Sequence, residues 1–208
     1  MKASTFNLHS IHQKTQYFSQ NSGMIVLVSL FFTGLIFGSF SVKSDTSFLS
    51  ERLIPYYMNY VKVKATASEL TVFFSSFLIY SAVIVFAYFI GLCAVGIPFV
   101  AAIPLFSGVF VGAVSGHIYG EYMLRGLGYC GIIIFPAAVI AVAAIIFASR
   151  ESMLMSRNML NLLSQRHNQQ YEDFKSYSTR FLIYISISAG AAAVETVMTH
   201  LFIGLFSF

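Results

Sequence analysis

Apolar residues in this 208-residue chain occur in long runs, and polar residues are concentrated between those runs. A helix rises about 1.5 Å per residue, so about 20 apolar residues cross the roughly 30 Å hydrocarbon core of a bilayer. Five runs approach this length, which predicts an all-α, polytopic membrane helix bundle with about five transmembrane helices. We expect a single integral membrane domain over residues 1–208, with spans at residues 24–42, 72–95, 97–119, 129–149 and 181–206.

The connections between the runs predict how the helices are joined. Residues 91–98 carry no charge and contain Gly91, Gly96 and Pro98, so we expect a tight helical hairpin between the second and third spans. Pro136 lies inside the fourth span, where a membrane helix tolerates proline if neighbours satisfy the freed carbonyl. After this span, apolar residues at helical spacing predict that the helix continues into the cytoplasm: Met153, Met155, Met159, Leu162 and Leu163.

Two polar segments near the first span carry their own predictions. In residues 43–71, tyrosine, leucine and phenylalanine side chains recur opposite charged positions, which predicts a short amphipathic helix in the membrane interface. Pro55 is expected to kink or end that helix. Residues 1–23 are polar, and the apolar run after them is longer than the 7–15-residue core of a signal peptide. The first span is therefore predicted to be a retained helix.

Composition and charge limit the class of protein and its orientation. Hydrophobic residues make up 57% of the chain and charged residues 10%, whereas soluble domains have about 25% charged residues. The net charge is +4, but the Lys and Arg residues lie between the runs and form no nucleic-acid-binding pattern, so no nucleic-acid partner is expected. With the N-terminus inside, the inner segments would hold seven Lys and Arg residues and the outer segments five. We therefore expect a multi-pass cell-membrane protein, embedded in the lipid bilayer, with a cytoplasmic N-terminus and an extracytoplasmic C-terminus.

Glycines recur at four-residue intervals on two predicted helices. Residues i and i+4 share a helix face, and small residues let another backbone approach closely in lipid. Three interpretations stay open: packing within the bundle, an oligomer or partner interface (including a homo-oligomer), and a permeation path. The glycines concerned are Gly34 and Gly38 in the first span and Gly108, Gly112, Gly116 and Gly120 in or just after the third.

Glu195 is the only acidic residue deep inside a predicted span. An ionised carboxylate at the centre of a membrane helix costs about 2.5–3.5 kcal/mol on insertion scales. It is therefore expected to face the bundle interior and either stay protonated or find hydrogen-bond donors, with Ser188, Thr199 and His200 as candidates on its own helix. It is interpreted as a hydrogen-bonded pin between helices, a partner contact or a group in proton-coupled transport.

No pattern in the chain predicts catalysis, a cofactor or a metal. A Gly-rich phosphate loop, a nucleophile elbow and the HExxH motif are all missing from the sequence. Cys93 and Cys130 lie in apolar runs and are interpreted as small buried hydrophobic residues. His117 is expected to be a packed, hydrogen-bonded residue. We therefore expect a protein that is not an enzyme.

Several stretches, in order and spacing, resemble the stage II sporulation protein M family. They are FTGLIFGS at residues 32–39, FFSSF at 73–77, GLCAVGIP at 91–98, SGVFVG at 107–112, Pro136 and AVE at 193–195. The resemblance implies a non-enzymatic membrane scaffold that acts during engulfment of the forespore. It also implies that the protein anchors and positions two peptidoglycan-cleaving partners, stage II sporulation proteins D and P, at the septal membrane.

A second function stays open from the residues alone, namely a small permease or the membrane subunit of a transporter. Glu195 would then form the path together with the third and fourth spans, which Pro104 and Pro136 are expected to kink, and residues 150–180 would dock an ATPase. An intramembrane enzyme is disfavoured because paired catalytic residues are missing from the sequence.

Overall fold

The computed structural model describes residues 4–42, 67–163 and 174–202, and it describes side chains from residue 23 onward. This part of the chain is helical and contains no strand, which confirms the all-α prediction. The helices are α1 (Ser4–Ser41), α2 (Glu69–Gly91), α3 (Ile97–Tyr129), α4 (Phe135–Leu163) and α5 (Phe174–Phe202), and a π-helix at Cys130–Ile134 joins α3 to α4. Most of the predicted amphipathic segment at residues 43–71 lies outside the described residues.

Four helical stretches in the described ranges are long and apolar enough to cross a bilayer: Gly23–Ser41, Glu69–Gly91, Ile97–Leu162 and Phe174–Phe202. The third contains 66 residues, which would extend about 100 Å if it were straight. Its backbone is broken at Met123, where φ is 51° and ψ is −125°, outside the helical region. This break falls in the connection that the sequence predicts between the third and fourth spans.

The chain turns back on itself at Met123. A Cβ atom on Gly126 would lie 2.3 Å from the carbonyl oxygen of Ile118, so the backbones before and after the break are in contact. Only a residue without a Cβ fits this approach. The part of α3 before Met123 and the part after it, which continues through the π-helix into α4, therefore leave the turn in opposite directions.

The connection between α2 and α3 is the short uncharged turn that the sequence predicts. The amides of Leu92 and Cys93 donate to the carbonyls of Phe89 and Ile90, which tightens the end of α2. Pro98 lies in the first turn of α3, where an amide would have no helical acceptor. α2 therefore ends at Gly91 rather than at residue 95 as predicted.

α4 is a continuous helix to Leu163, which confirms that the fourth predicted helix extends well beyond residue 149. At its start, Pro136 accounts for the π-helix. A proline lacks the amide hydrogen, and its ring clashes with the carbonyl four residues earlier. A wider turn just before the proline relieves that clash.

α2, α4 and α5 share the main buried cluster of the molecule. Small residues of α4, Ala144 and Ala148 among them, let the three helices approach closely. Ile84 of α2 and Phe181 of α5 fill the space between them. Many large apolar side chains on the outer faces of the helices are exposed, as expected for a bundle surrounded by lipid.

Hydrogen bonds give the relative directions of these helices. Ser152 on α4 contacts the carbonyl of Ala87 on α2, and Ser156 contacts that of Cys93 just after it, so α2 and α4 run parallel. On α5, by contrast, Ser178 lies against Tyr88 of α2.

Glu195, 17 residues after Ser178 on α5, receives a hydrogen bond from Tyr80, which comes earlier than Tyr88 on α2. Residue numbers therefore rise on one helix as they fall on the other. α5 runs antiparallel to α2, and hence to α4.

Candidate functional site

α1 and α3 are in direct backbone contact along a line of glycines. A Cβ on Gly34 would lie 2.2 Å from the carbonyl oxygen of Leu105, and a Cβ on Gly38 would lie 2.2 Å from that of Val109. Both distances are far shorter than any van der Waals contact. Gly34 and Gly38 thus let the two helices touch.

The glycines of α3 make the reciprocal contacts with α1. A Cβ on Gly108 would lie 2.2 Å from the carbonyl oxygen of Phe31, and a Cβ on Gly112 would lie 2.1 Å from that of Leu35. Residue numbers rise together on both helices, so α1 and α3 run parallel. Gly116 continues the line with a looser approach of 2.9 Å to the carbonyl oxygen of Ser39.

We call these five residues, Gly34, Gly38, Gly108, Gly112 and Gly116, the glycine seam. Gly120 shares their spacing but not their environment, because a Cβ there would meet no heavy atom within 4 Å. Of the three interpretations of these glycines, the seam shows packing between helices of the same chain at this face. A partner that used the same face would have to displace α1.

Glu195 lies half-buried on α5, and the hydroxyl of Tyr80 on α2 donates to its Oε2 atom at 2.7 Å. This donor comes from another helix, whereas the sequence offered Ser188, Thr199 and His200 as candidates. Ser188 donates to the carbonyl of Ile185 in its own helix, and His200 lies 3.3 Å from the Glu69 carboxylate. The geometry at Glu195 is that of a link between α2 and α5.

The surroundings of Glu195 include the irregular start of α4. Tyr129, a buried residue directly before the π-helix, lies near Glu195, and α5 packs against the π-helix. Tyr129 and Cys130 belong to a second buried cluster with Ile118 of α3. Glu195 and Tyr80 therefore lie close to the part of the bundle where helical hydrogen bonding is disturbed.

A second polar group lies at the opposite end of α5, around the end of α2. The last carbonyls of a helix lack helical partners, and here hydroxyls from the neighbouring helices contact this region of α2. Ser152 donates to the carbonyl of Ala87 at 2.8 Å, and Tyr177 donates to the carbonyl of Tyr88 at 3.0 Å. Ser156 donates to the carbonyl of Cys93 at 2.7 Å.

We call Ser152, Ser156 and Tyr177 the hydroxyl cap. Gly91, the last residue of α2, makes room for it, because a Cβ there would lie 2.4 Å from the Tyr177 hydroxyl oxygen and 2.8 Å from Cα of Ser152. The cap binds α4 and α5 to the end of α2 at a fixed depth.

Next to the hydroxyl cap is a buried carboxylate. Glu151 on α4 is only 4% exposed. Its Oε1 atom lies 3.1 Å from Nη1 of Arg150, and its Oε2 atom accepts a hydrogen bond from Nη1 of Arg180 on α5. Because both carboxylate oxygens are bonded to cations, the desolvation of Glu151 is offset by direct partners.

Sequence reasoning did not select Glu151 or the hydroxyl cap. It assigned the segment after residue 149 to a polar region and noted its methionines. One signal was present, since Ser149, Ser152 and Ser156 recur at spacings of three and four residues and therefore share one helix face. All three serines are buried.

The remaining candidate residues form no reactive group in the described ranges. His117 lies on α3, 3.7 Å from the Glu121 carboxylate one turn later. Cys130 is buried, but Cys93 in the α2–α3 turn is exposed, unlike the buried position predicted for it. Among the described residues, no three His, Cys, Asp or Glu side chains are grouped so that they could hold a metal ion.

The family model described as Stage II sporulation protein M matches residues 26–200. The chain belongs to the stage II sporulation protein M family. The matched range contains the glycine seam, the hydroxyl cap and Glu195, and the predicted resemblance is confirmed. Neither a curated protein nor a solved structure matches the chain significantly.

Membership in the stage II sporulation protein M family, together with the apolar helices, indicates a multi-pass membrane protein connected with sporulation. The family is not known as a family of enzymes. In this member, some polar side chains of the described helices join one helix to another, as Tyr80, Ser152 and Tyr177 do, and others bond to carbonyls of their own helix, as Ser107 and Ser188 do.

Proposed function

We propose that this protein is a non-enzymatic membrane scaffold of the sporulation engulfment machinery. It anchors and positions peptidoglycan-degrading enzymes, resembling stage II sporulation proteins D and P, at the septal membrane. The observation that carries the proposal is the family match over residues 26–200. The packing of the helices supports it, as follows.

A scaffold must hold its helices in fixed positions, and two features of this bundle do so. The glycine seam brings the backbones of α1 and α3 into contact. Sliding of one helix along the other would replace a glycine with a larger residue at this contact and cause a steric clash. The hydroxyl cap and Glu151 tie α4 to α2 and α5 at a defined depth. These contacts hold the helices in a rigid arrangement, and the proposed partners carry out the catalysis.

The proposed topology has five membrane crossings. α1 and α3 run parallel, α2 and α4 run parallel, and α5 is antiparallel to α2 and α4. The turn at Met123 divides the stretch Ile97–Leu162 into two antiparallel parts. If each successive helix crosses the bilayer in the direction opposite to the one before it, all of these relations are satisfied, and the chain crosses the bilayer five times.

The distribution of charge favours a cytoplasmic N-terminus. Among the residues whose side chains are described, the end of the bundle near the α2–α3 turn holds four cations and one carboxylate: Arg150, Arg157, Lys175, Arg180 and Glu151. The opposite end holds Glu69, Glu121 and Arg125. The positive-inside rule then places the first end, where α1 also begins its apolar part, in the cytoplasm. The end of α1 and the start of α2 then face the outer side, where wall-degrading partners would work.

The test is crosslinking followed by affinity purification and mass spectrometry, performed on sporulating cells that express the protein at its native level. We expect both peptidoglycan-degrading partners to be recovered in mild detergent. A control strain carrying an unrelated tagged five-span membrane protein sets the background. Recovery of neither enzyme above that background would remove the basis of the scaffold proposal.

A second candidate function is a small permease or the membrane subunit of a transporter. The observation that favours it is the Tyr80–Glu195 pair, which places a carboxylate close to the π-helix inside the bundle. In this case, liposomes containing the protein show flux of a transported ligand or of protons. The variant Glu195→Gln abolishes the flux while the protein still elutes as the wild type does, and a Glu195→Gln protein that retains wild-type flux excludes this role for the carboxylate.

A further inference from the structure

The α4–α5 end of the bundle carries two levels of cations. Glu151 joins Arg150 and Arg180 at the first level. Arg157 lies seven residues after Arg150, about 10 Å further along α4, and Lys175 lies five residues before Arg180, about 8 Å along α5. Because α4 and α5 are antiparallel, both displacements point the same way. Arg157 and Lys175 therefore form a second level beyond the first.

The two levels differ in how much of their positive charge is neutralised by a carboxylate of the protein. At the first level, Glu151 takes up part of the charge of Arg150 and Arg180. At the second level, the side chains of Arg157 and Lys175 are both exposed. Among the residues whose side chains are described, Arg157 and Lys175 are thus the outermost cations at this end, and their charge is directed at the surroundings of the protein.

An exposed apolar surface lies at the same depth. The hydrogen bond from Ser156 to the carbonyl of Cys93 places the α2–α3 turn beside this part of α4. Val95 in that turn is 71% exposed, and Phe99 at the start of α3 is 64% exposed. The turn contains no charged residue between Gly91 and Pro98. Exposed cations and exposed apolar side chains are therefore neighbours at one end of the molecule.

We propose that this end of the bundle binds the headgroups of anionic phospholipids, with Arg157 and Lys175 as the principal contacts. Guanidinium and ammonium groups donate charge-assisted hydrogen bonds to phosphate oxygens. Phe99 then lies among the upper parts of the acyl chains, and Val95, in the turn itself, lies at the level of the headgroups, where water reaches it. A water-soluble acidic partner would satisfy the cations, but it would not supply apolar surroundings for Phe99.

The experiment measures lipid bound to the full-length protein in neutral detergent by native mass spectrometry. The probes are short-chain phosphatidylglycerol and short-chain phosphatidylcholine, with inorganic phosphate as the headgroup without its chains. We expect phosphatidylglycerol to bind well and the other two weakly. Each surface cation contributes roughly fivefold to association with anionic lipid, so the double variant Arg157→Gln/Lys175→Gln should weaken phosphatidylglycerol binding roughly 25-fold.

Two matched variants make the result specific. Arg157→Lys/Lys175→Arg keeps both charges and should retain binding, and Arg125→Gln removes a cation from the opposite end and should change nothing. Equal binding of phosphatidylglycerol and phosphatidylcholine would overturn the proposal. So would an equal loss in the Arg125→Gln protein. Tighter binding of an acidic peptide than of phosphatidylglycerol would also overturn it and would assign the surface to a protein partner.

Discussion

At the scale of single residues, two glycines with the same spacing have opposite surroundings. A Cβ on Gly112 would lie 2.1 Å from the carbonyl oxygen of Leu35, whereas a Cβ on Gly120 would meet nothing within 4 Å. Sequence spacing groups the two together, but it contains no information about what opposes each one. How much a glycine contributes to the stability of this bundle therefore depends on whether a neighbouring helix lies against it.

We therefore expect Gly112→Ala to destabilise the protein by about 2 kcal/mol, because the new methyl group forces α1 and α3 apart. Gly120→Ala is the matched control and should be neutral or slightly stabilising, since alanine favours a helix by about 0.5–1 kcal/mol over glycine. The measurement is thermal unfolding in mild detergent followed by far-UV circular dichroism, which suits a chain without tryptophan. Equal melting temperatures for the two variants would contradict the close contact of α1 and α3 at the glycine seam.

Glu151 gives a second prediction at this scale. Replacing it with glutamine removes the negative charge that faces Arg150 and Arg180 while the helix and its packing stay the same. Loss of one partner from a buried ion pair typically costs 3–5 kcal/mol. We expect about 3 kcal/mol for Glu151→Gln, because the side chain of Arg180 is 40% exposed and keeps some hydration.

The control for this prediction is Glu121→Gln. Glu121 forms an exposed pair with His117 one turn away, and such pairs contribute at most a few tenths of a kcal/mol. The two variants are compared by urea or thermal unfolding in the same detergent. A Glu151→Gln protein as stable as Glu121→Gln would show that the buried pair contributes little.

At the scale of elements, the hydroxyl cap holds the end of α2. Tyr177→Phe removes the hydrogen bond to the Tyr88 carbonyl but keeps the aromatic ring stacked on Tyr88. A buried carbonyl deprived of this donor costs about 1–2 kcal/mol. Tyr119→Phe, which changes an exposed tyrosine of α3, is the control and should have no effect.

Hydrogen exchange measured by mass spectrometry locates the effect. Faster exchange in the Tyr177→Phe protein is expected at the end of α2 and in the α2–α3 turn, with α1 unchanged. Uniformly faster exchange throughout the chain would instead indicate a general loss of stability. An unchanged profile would mean that the cap does not hold this element.

Helix positions were predictable because the length of an apolar run is a local property set by the bilayer. Helix ends were less predictable. α2 stops at Gly91, where hydroxyls from α4 and α5 bind the carbonyls of its last residues, and those hydroxyls belong to residues more than 60 positions away in the sequence. α5 is already helical at Phe174, ahead of its predicted start at residue 181, because residues before Phe181 also form helix and Tyr177 among them is buried.

The candidate site was predictable only in part, for a related reason. Glu195 was recognisable as an acidic residue inside an apolar run, but its donor Tyr80 lies 115 positions away and carries no local mark of that role. The π-helix before Pro136 was not predicted either. A proline is visible in the sequence, but whether the helix kinks or widens around it depends on tertiary packing.

At the scale of the whole molecule, the α2–α3 turn and the break at Met123 within α3 decide the topology. Val95 lies in the α2–α3 turn, and Leu124 follows the break at Met123 and is 81% exposed. With five crossings and a cytoplasmic N-terminus, Val95 faces the cytoplasm and Leu124 faces the outside. If the part of α3 before Met123 did not cross the bilayer, the two positions would face the same side.

Single cysteines test this arrangement directly in a background carrying Cys93→Ser and Cys130→Ala. We expect Leu124→Cys to react with a membrane-impermeant maleimide in intact cells stripped of their outer wall layers. Val95→Cys should react only after the membrane is permeabilised, because the reagent cannot otherwise reach the cytoplasmic side. Labelling of Val95→Cys in intact cells, with Leu124→Cys protected, would reverse the orientation, and it would move Arg157 and Lys175 to the outer leaflet. Labelling of both positions from one side would contradict the fifth crossing itself, since the chain between them would then cross the bilayer an even number of times.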